Sequence, residues 1–216
     1  IIEKYYGGKE PVTDVLDTTQ SLIELFDNHN VKSTFFVLGE TAVKYPAIID
    51  IIEGSNHEFA CHGFFHNKGY SDDNEFHQDV KKFRKDVKAD VKGFRFSNFG
   101  CTDNRLQMLL KEGFSYDSSV VPCIKIPRWY GEPDAPLVPY KKIIGNGIFI
   151  KEFPLSVMPY LRLPGSGGWF LRNISYLWTK FMIKFAVKNL GYGMLYIHPW
   201  EISNHNPDFK EIPFHV

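Results

Sequence analysis

Residues 33–66 read STFFVLGETAVKYPAIIDIIEGSNHEFACHGFFH, and this stretch decides the fold. Ser33–Leu38 is a nearly continuous apolar run of strand-forming residues, which predicts a strand covered on both faces. Thr41–Glu53 has helical periodicity with an interruption at Pro46. His57–Cys61 predicts a second buried strand. This order of elements predicts two parallel strands joined by a crossover helix.

The same alternation extends to both sides of this unit. Helical periodicity predicts four further helices, at Asp14–Asn30, Asn74–Ala89, Asn104–Glu112 and Leu171–Leu190. Short apolar or alternating runs predict four further strands, at Val91–Phe96, Phe114–Ser119, Gly147–Phe153 and Gly193–His198. The pattern predicts an α/β fold with a parallel sheet, either open and doubly wound or closed into a (β/α) barrel. Because we find no repeat or linker, we expect one domain over residues 1–216.

Two segments need separate interpretation. Residues 121–146 are Pro-rich without a clear period, and we expect a long functional loop with room for a small hairpin. Ile174–Leu190 is the most hydrophobic long stretch and carries a stripe of Lys180, Lys184 and Lys188. A solvated face is the simpler interpretation of this stripe, and a membrane-surface or partner helix is the alternative.

Composition limits the function classes. Lys+Arg and Asp+Glu are 25 each, so no overall charge indicates nucleic acid or an anionic membrane as partner. The chain has no nucleotide-binding glycine motif. Its three cysteines, Cys61, Cys101 and Cys123, form no C-x-x-C pair. We find neither a signal-peptide pattern nor an apolar run of about 18 residues, and we expect a cytoplasmic protein, with the cell envelope as alternative.

Polar residues at the strand ends suggest a catalytic site. His62 and His66 follow the second strand with H-x-x-x-H spacing, which suits two metal ligands, although two surface histidines would give the same spacing. Arg95, Asp117 and His198 lie at the ends of three other predicted strands. Because ligands gather at the carboxyl ends of parallel strands, this joint placement favours a hydrolytic metal site.

Several blocks of the chain resemble a known family. VKSTFFVLGETAVKYP, ACHGFFH, VKGFRFSNFG, GFSYDSSVVP, GSGGWF and LYIHPWE occur in this order. They resemble motifs of the polysaccharide deacetylases, the NodB-homology group or carbohydrate esterase family four, and most of all the branch associated with bacterial exopolysaccharide loci. The resemblance covers nearly the whole chain and implies a distorted (β/α) barrel of about seven strands.

The resemblance also implies roles for the strand-end residues. His62 and His66 would hold a divalent metal, commonly zinc, together with an Asp, and His198 would be the general acid. Arg95 would orient the base carboxylate, and Asp117 would lie near the reacting centre. Three aromatic side chains are candidates for sugar contacts, with core packing as the alternative: Trp169, Trp200 and Phe96.

The chain departs from the family pattern at three points. The Asp-containing first motif, which would supply the third ligand and the base, is absent; Glu3 is a remote candidate. We expect that the given chain starts after the first strand, and a disabled homologue is the alternative. Gly63 stands where Ser or Thr is common, and Ser97 stands where many relatives have Pro.

The expected activity is metal-dependent hydrolysis of a linear amide, removing N-acetyl groups from an amino-sugar polysaccharide, an oligosaccharide or a precursor. One alternative is a related amidohydrolase acting on a small cyclic amide or formamide. Another is a catalytically disabled carbohydrate-binding homologue. The sequence predicts no nucleic-acid partner and does not indicate an oligomeric state.

Overall fold

The computed structural model describes residues 14–66, 70–127, 130–145 and 147–202. The helices are α1 (Val15–Asn28), α2 (Gly39–Lys44), α3 (Ala47–Glu53), α4 (Asp73–Asp86), α5 (Asp103–Lys111), α6 (Gly168–Asn173) and α7 (Tyr176–Leu190). The strands are β1 (Thr34–Val37), β2 (Glu58–Cys61), β3 (Gly93–Phe94), β4 (Tyr116–Asp117), β5 (Tyr140–Ile143), β6 (Phe149–Glu152), β7 (Val157–Met158) and β8 (Leu163–Pro164). A short 3-10 helix covers Pro199–Glu201.

Six strands form a mixed sheet in the order β1-β2-β3-β4-β6-β5. The pairs from β1 to β4, and the pair β4–β6, are parallel, as predicted. The edge strand β5 differs, since it pairs antiparallel with β6. The two strands are joined by a short turn, and a short turn cannot return the chain for parallel pairing. β5 lies within the stretch at 121–146 for which we expected a long loop with room for a small hairpin, but its partner β6 lies outside that stretch.

An aromatic cluster forms the centre of the core between this sheet and α4. Phe76 of α4 stacks on Phe96, with ring centroids 5.2 Å apart, and meets Phe94 edge to face at 5.9 Å. Phe94 also packs edge to face against Phe114. All four rings are buried, so they hold the carboxyl end of β3 and the segment that leads into β4 against the helix.

The predicted helix at 171–190 is two helices. Ser175 has an extended backbone, and its hydroxyl accepts a hydrogen bond from the N–H of Leu177 at 3.0 Å. Because this arrangement caps a new helix, α6 ends before it and α7 begins after it. Gly191, with a φ of 67°, ends α7 in the left-handed conformation that glycine tolerates best.

The predicted strand at 193–198 contributes one bridge, from Gly167 to Tyr196. The N–H of Tyr196 donates to the carbonyl of Ser166 at 2.9 Å, which fixes this segment beside the sheet. In the part of the chain that the structure describes, no helix has the length and apolar character needed to cross a membrane.

Candidate active site

His62 follows the carboxyl end of β2, and a hydrogen bond determines which of its two ring nitrogens carries the proton. Its Nδ1 lies 2.7 Å from the carbonyl oxygen of Arg95. Since a carbonyl can only accept, Nδ1 carries the proton and Nε2 keeps its lone pair. Burial lowers the pKa of His62 to about 3, and nearby His66, Arg95 and His198 add to this effect. The imidazole is therefore neutral at pH 7, the state in which it binds metals.

His66 and His198 complete a group of three imidazoles. The rings of His62 and His66 have centroids 5.8 Å apart at an angle of 69°. Partial burial lowers the pKa of His66, and the proximity of His198 contributes. His198 thus acts electrostatically on both other rings. The structure brings together three residues that are separated by up to 136 positions in the sequence.

Asp79 of α4 holds the loop between the two metal-ligand candidates. Its carboxylate accepts hydrogen bonds from the backbone N–H groups of Phe64 at 2.7 Å and Phe65 at 3.1 Å. The hydroxyl of Tyr70 donates to the same carboxylate at 3.1 Å. Sequence reasoning missed Asp79, although a carboxylate next to the apolar face of a predicted helix was a usable signal.

The contacts of Asp79 and Tyr70 also explain why position 63 is a glycine. Its φ is 86°, and a Cβ there would lie 3.0 Å from the Tyr70 hydroxyl and 3.1 Å from Asp79 Oδ2. A Ser or Thr would be strained and crowded at this position. The departure from the family motif therefore fits the loop geometry that Asp79 imposes.

Arg95 is buried beneath the imidazole group. Its Nε donates to the Ser118 carbonyl at 2.7 Å and its terminal nitrogen donates to the Ser118 hydroxyl at 2.6 Å. The guanidinium also stacks over Phe36 at 4.3 Å. Desolvation lowers the pKa of Arg95, while the charge of Asp117 opposes that change. Arg95 thus joins the ends of β3 and β4, and its carbonyl orients His62.

Asp117 is fully buried and lies opposite Glu152 in the register of β4 and β6. Asp117 Oδ1 accepts from the Ser119 hydroxyl at 2.7 Å. Glu152 Oε1 accepts from the N–H groups of Ser119 and Val120 at 3.1 and 2.9 Å. Burial raises the pKa of Asp117 to about 6 and that of Glu152 to about 9. The two groups therefore share a proton at neutral pH.

Sequence reasoning did not find Glu152. It stands two positions after Ile150, and the two side chains share the buried face of β6. A carboxylate in phase with buried apolar residues was the signal that could have identified it.

His198 is positioned by Glu201. The backbone N–H of His198 donates to Glu201 Oε2 at 3.0 Å, and its Nδ1 lies 3.6 Å from Oε1. Arg172 Nε lies 3.3 Å from the same Oε1. The carboxylate is almost fully buried, whereas the His198 side chain is 47% exposed and open to a ligand.

The remaining residues that the sequence suggested for sugar contacts or metal binding receive less support from the structure. Phe96 is 3% exposed in the aromatic core, which does not support a sugar contact. The Trp169 ring packs edge to face on Phe170 at 5.1 Å. The side chain of Trp200 and all of Glu3 lie outside the part that the structure describes. Among the described residues, no three His, Cys, Asp or Glu side chains are grouped to hold a metal ion.

A cleft lies beside the carboxyl pair. Its volume is about 290 Å³, and Phe99, Tyr130, Cys101, Ser119 and Glu132 are among its lining residues. The Phe99 ring packs edge to face against Tyr130 at 5.4 Å and against Tyr196 at 5.8 Å. Tyr196 in turn packs against His198 at 6.0 Å. One row of aromatic rings therefore connects the cleft with the imidazole group.

Comparison with protein families identifies the first half of the chain. Residues 12–116 match the polysaccharide deacetylase family. This match spans just under half of the chain, and the matched part is similar to the polysaccharide deacetylases. Residues 118–216 match a domain of unknown function, DUF3473. The family predicted from the motifs is thus confirmed. The boundary between the two matches falls at Asp117, and the pairing of β4 with β6 crosses it. The single domain over 1–216 stays a prediction.

One curated relative and two solved structures are similar to parts of this chain. The peptidoglycan-N-acetylglucosamine deacetylase of Bacillus cereus is 34% identical over 68 residues, which are 31% of this chain and a quarter (25%) of that relative. A crystal structure of a polysaccharide deacetylase from Mycobacterium smegmatis superposes with a TM-score of 0.61 at 22% identity, over 84% of this chain and 63% of the other. The PuuE allantoinase gives 0.56 at 13% identity, over 83% and 57%. These structures show the fold, and the NodB-type α/β prediction is confirmed.

Proposed function

We propose that this polysaccharide deacetylase homologue is a metal-dependent hydrolase that removes N-acetyl groups from an amino-sugar polysaccharide or its precursor. The observation that carries the proposal is the arrangement of His62 Nδ1 on the Arg95 carbonyl, with His66 and His198 beside it. A neutral imidazole whose second nitrogen is held by a carbonyl is a typical metal ligand.

The residues present fit a divalent metal in part. His62 is neutral with Nε2 available, and His66 lies next to it, so these two side chains would hold the ion. A third protein ligand is not among the described residues. When bound, a metal such as zinc would polarise the amide carbonyl and lower the pKa of a water molecule.

The chain's own described residues would supply proton donation and the positioning of the site. His198, half exposed and held by Glu201, would give a proton to the leaving amine nitrogen. Arg95 and the Asp117–Glu152 pair fix the strand ends that carry His62 and the adjacent cleft. The rings of Phe99, Tyr130 and Tyr196 offer a surface on which a sugar can stack.

The test is release of acetate from an N-acetylglucosamine oligomer by the full-length protein supplied with zinc. We expect turnover with a bound metal, and loss of turnover in His198→Ala. His77→Ala is the matched control, because His77 pairs with Glu112 at 2.8 Å on the helices behind the sheet. A full-length protein that binds no metal and releases no acetate would favour the non-catalytic carbohydrate-binding alternative and overturn the proposal.

A further inference from the structure

The charges of this chain balance overall but are distributed unevenly. Residues 153–200 contain no Asp or Glu. The same range carries five permanent cations, Arg162, Arg172, Lys180, Lys184 and Lys188. This part of the molecule therefore has an excess of positive charge at neutral pH, since the adjoining Glu201 lies against Arg172 and leaves the other four cations.

The outer face of α7 combines these cations with apolar side chains. The helix is buried through one stripe, formed by Thr179, Met182 and Ala186. On the opposite side, Leu177 is 71% exposed and Phe181 is 51% exposed. Helical spacing puts Lys184 and Lys188 on the same line as these two residues, and both lysines are exposed. An apolar outer face on a surface helix is unusual unless it has a partner.

The turn between β7 and β8 extends this apolar face. Tyr160 is 81% exposed and Leu161 is 62% exposed at its tip. The Tyr160 ring lies 6.4 Å from the ring of Phe185 on α7. Arg162 holds the turn in place, since its guanidinium donates to the carbonyls of Pro122 and Ala135 at 3.1 and 2.8 Å. The tip is thus an aromatic and aliphatic protrusion on a fixed base.

We propose that α7 and the 159–162 turn form a docking surface for an anionic lipid bilayer. Apolar and aromatic side chains would enter the interface, and the lysines would extend toward lipid headgroups. Charge complementarity selects this partner, because a second copy would place the same cations against one another in a two-fold contact. The helix would lie on the bilayer, since no described helix can cross one. This inference does not depend on the proposed deacetylation.

The experiment is flotation of the full-length protein with vesicles of phosphatidylcholine alone and of phosphatidylcholine mixed with phosphatidylglycerol. We expect binding to the mixed vesicles and weaker binding at high salt. The triple variant Lys180→Gln, Lys184→Gln, Lys188→Gln should reduce the partition coefficient roughly 100-fold. The matched control neutralises three exposed lysines of the other half, Lys81, Lys85 and Lys88.

A second variant tests the apolar part. Leu177→Ser with Phe181→Ser should weaken binding to the mixed vesicles at high salt as well, while Val43→Ser, an exposed apolar residue on α2, should not. All these positions are exposed, so folding should be retained, which thermal unfolding checks. Equal binding of the lysine variant and its control would overturn the proposal. So would a wild-type dimer that the Leu177→Ser, Phe181→Ser variant converts to monomer, because the partner would then be a second copy.

Discussion

Asp117 and Glu152 lie side by side in the register of β4 and β6, and among the described residues neither Asp117 Oδ2 nor Glu152 Oε2 has a hydrogen-bond partner. Two buried carboxylates side by side cannot both ionise readily, so the pair retains one proton at neutral pH. The pair lies beside Arg95, which directly follows β3 in the same sheet.

Glu152→Gln should change how stability depends on pH. Because the folded-state pKa values of Asp117 and Glu152 are raised to about 6 and about 9, the folded chain binds more protons than the unfolded chain above pH 4 or so. The stabilising contribution of the pair is present at acid pH and is lost as pH rises through these two values. Glu152→Gln should therefore lack the part of the decline in unfolding free energy that occurs near pH 9.

Urea unfolding at about pH 5, 7 and 9 measures this effect. Glu24→Gln on the exposed side of α1 is the control and should leave the slope of unfolding free energy against pH unchanged. A wild-type protein whose stability rises from neutral to alkaline pH would contradict the shared proton.

His66→Ala and His198→Ala should separate metal binding from turnover. His66→Ala removes a proposed ligand, so zinc affinity should fall by more than the roughly 10–100-fold that outer-sphere changes cost. His198→Ala should keep the metal and lose acetate release, because it removes the proton donor. Metal titration and the oligomer assay, run on both variants, give the two readouts. An active His198→Ala protein would exclude the acid role.

Asp79→Asn should loosen the loop that carries the two imidazoles. The amide cannot accept at both positions where Phe64 and Phe65 donate, so the unfolding free energy should drop by about 2 kcal/mol. Zinc affinity should fall roughly 10-fold, since the loop sets the position of the rings. Asp86→Asn on the same helix, which meets only Lys82 at the surface, is the control and should change both by little. Unchanged zinc affinity in Asp79→Asn would remove the positioning role.

Arg95→Lys should destabilise the fold although it keeps the charge. A lysine cannot reproduce the two directed hydrogen bonds to Ser118 or the stacking on Phe36, and we expect a loss of about 2–3 kcal/mol in denaturant unfolding. Arg105→Lys should cost less, because its partner Asp73 is 37% exposed and its bond to the Tyr70 carbonyl is long at 3.4 Å. Equal losses of unfolding free energy in the two variants would show that the directed hydrogen bonds of the buried Arg95 guanidinium add no extra stability.

Most secondary structure was predictable because it depends on local periodicity. The strand at Ser33–Leu38 and the helix at Asn104–Glu112 agree with β1 and α5 within two residues at each end. The antiparallel β5 and the break at Ser175 were not found, since a polar hairpin and a single capping serine leave weak signals in a periodic pattern.

The sequence by itself determined the family resemblance, the alternation of helices and strands, and the histidines that follow strand ends. Residue type and spacing along the chain are sufficient to predict each of these features. Only the tertiary structure decided which groups support them. Asp79 reaches the backbone 15 positions earlier, and Glu152 meets Asp117 across 35 positions. Such contacts depend on how strands align and how helices pack on them. No local pattern contains that information, so the pairing of Asp117 with Glu152 is evident only from the folded chain.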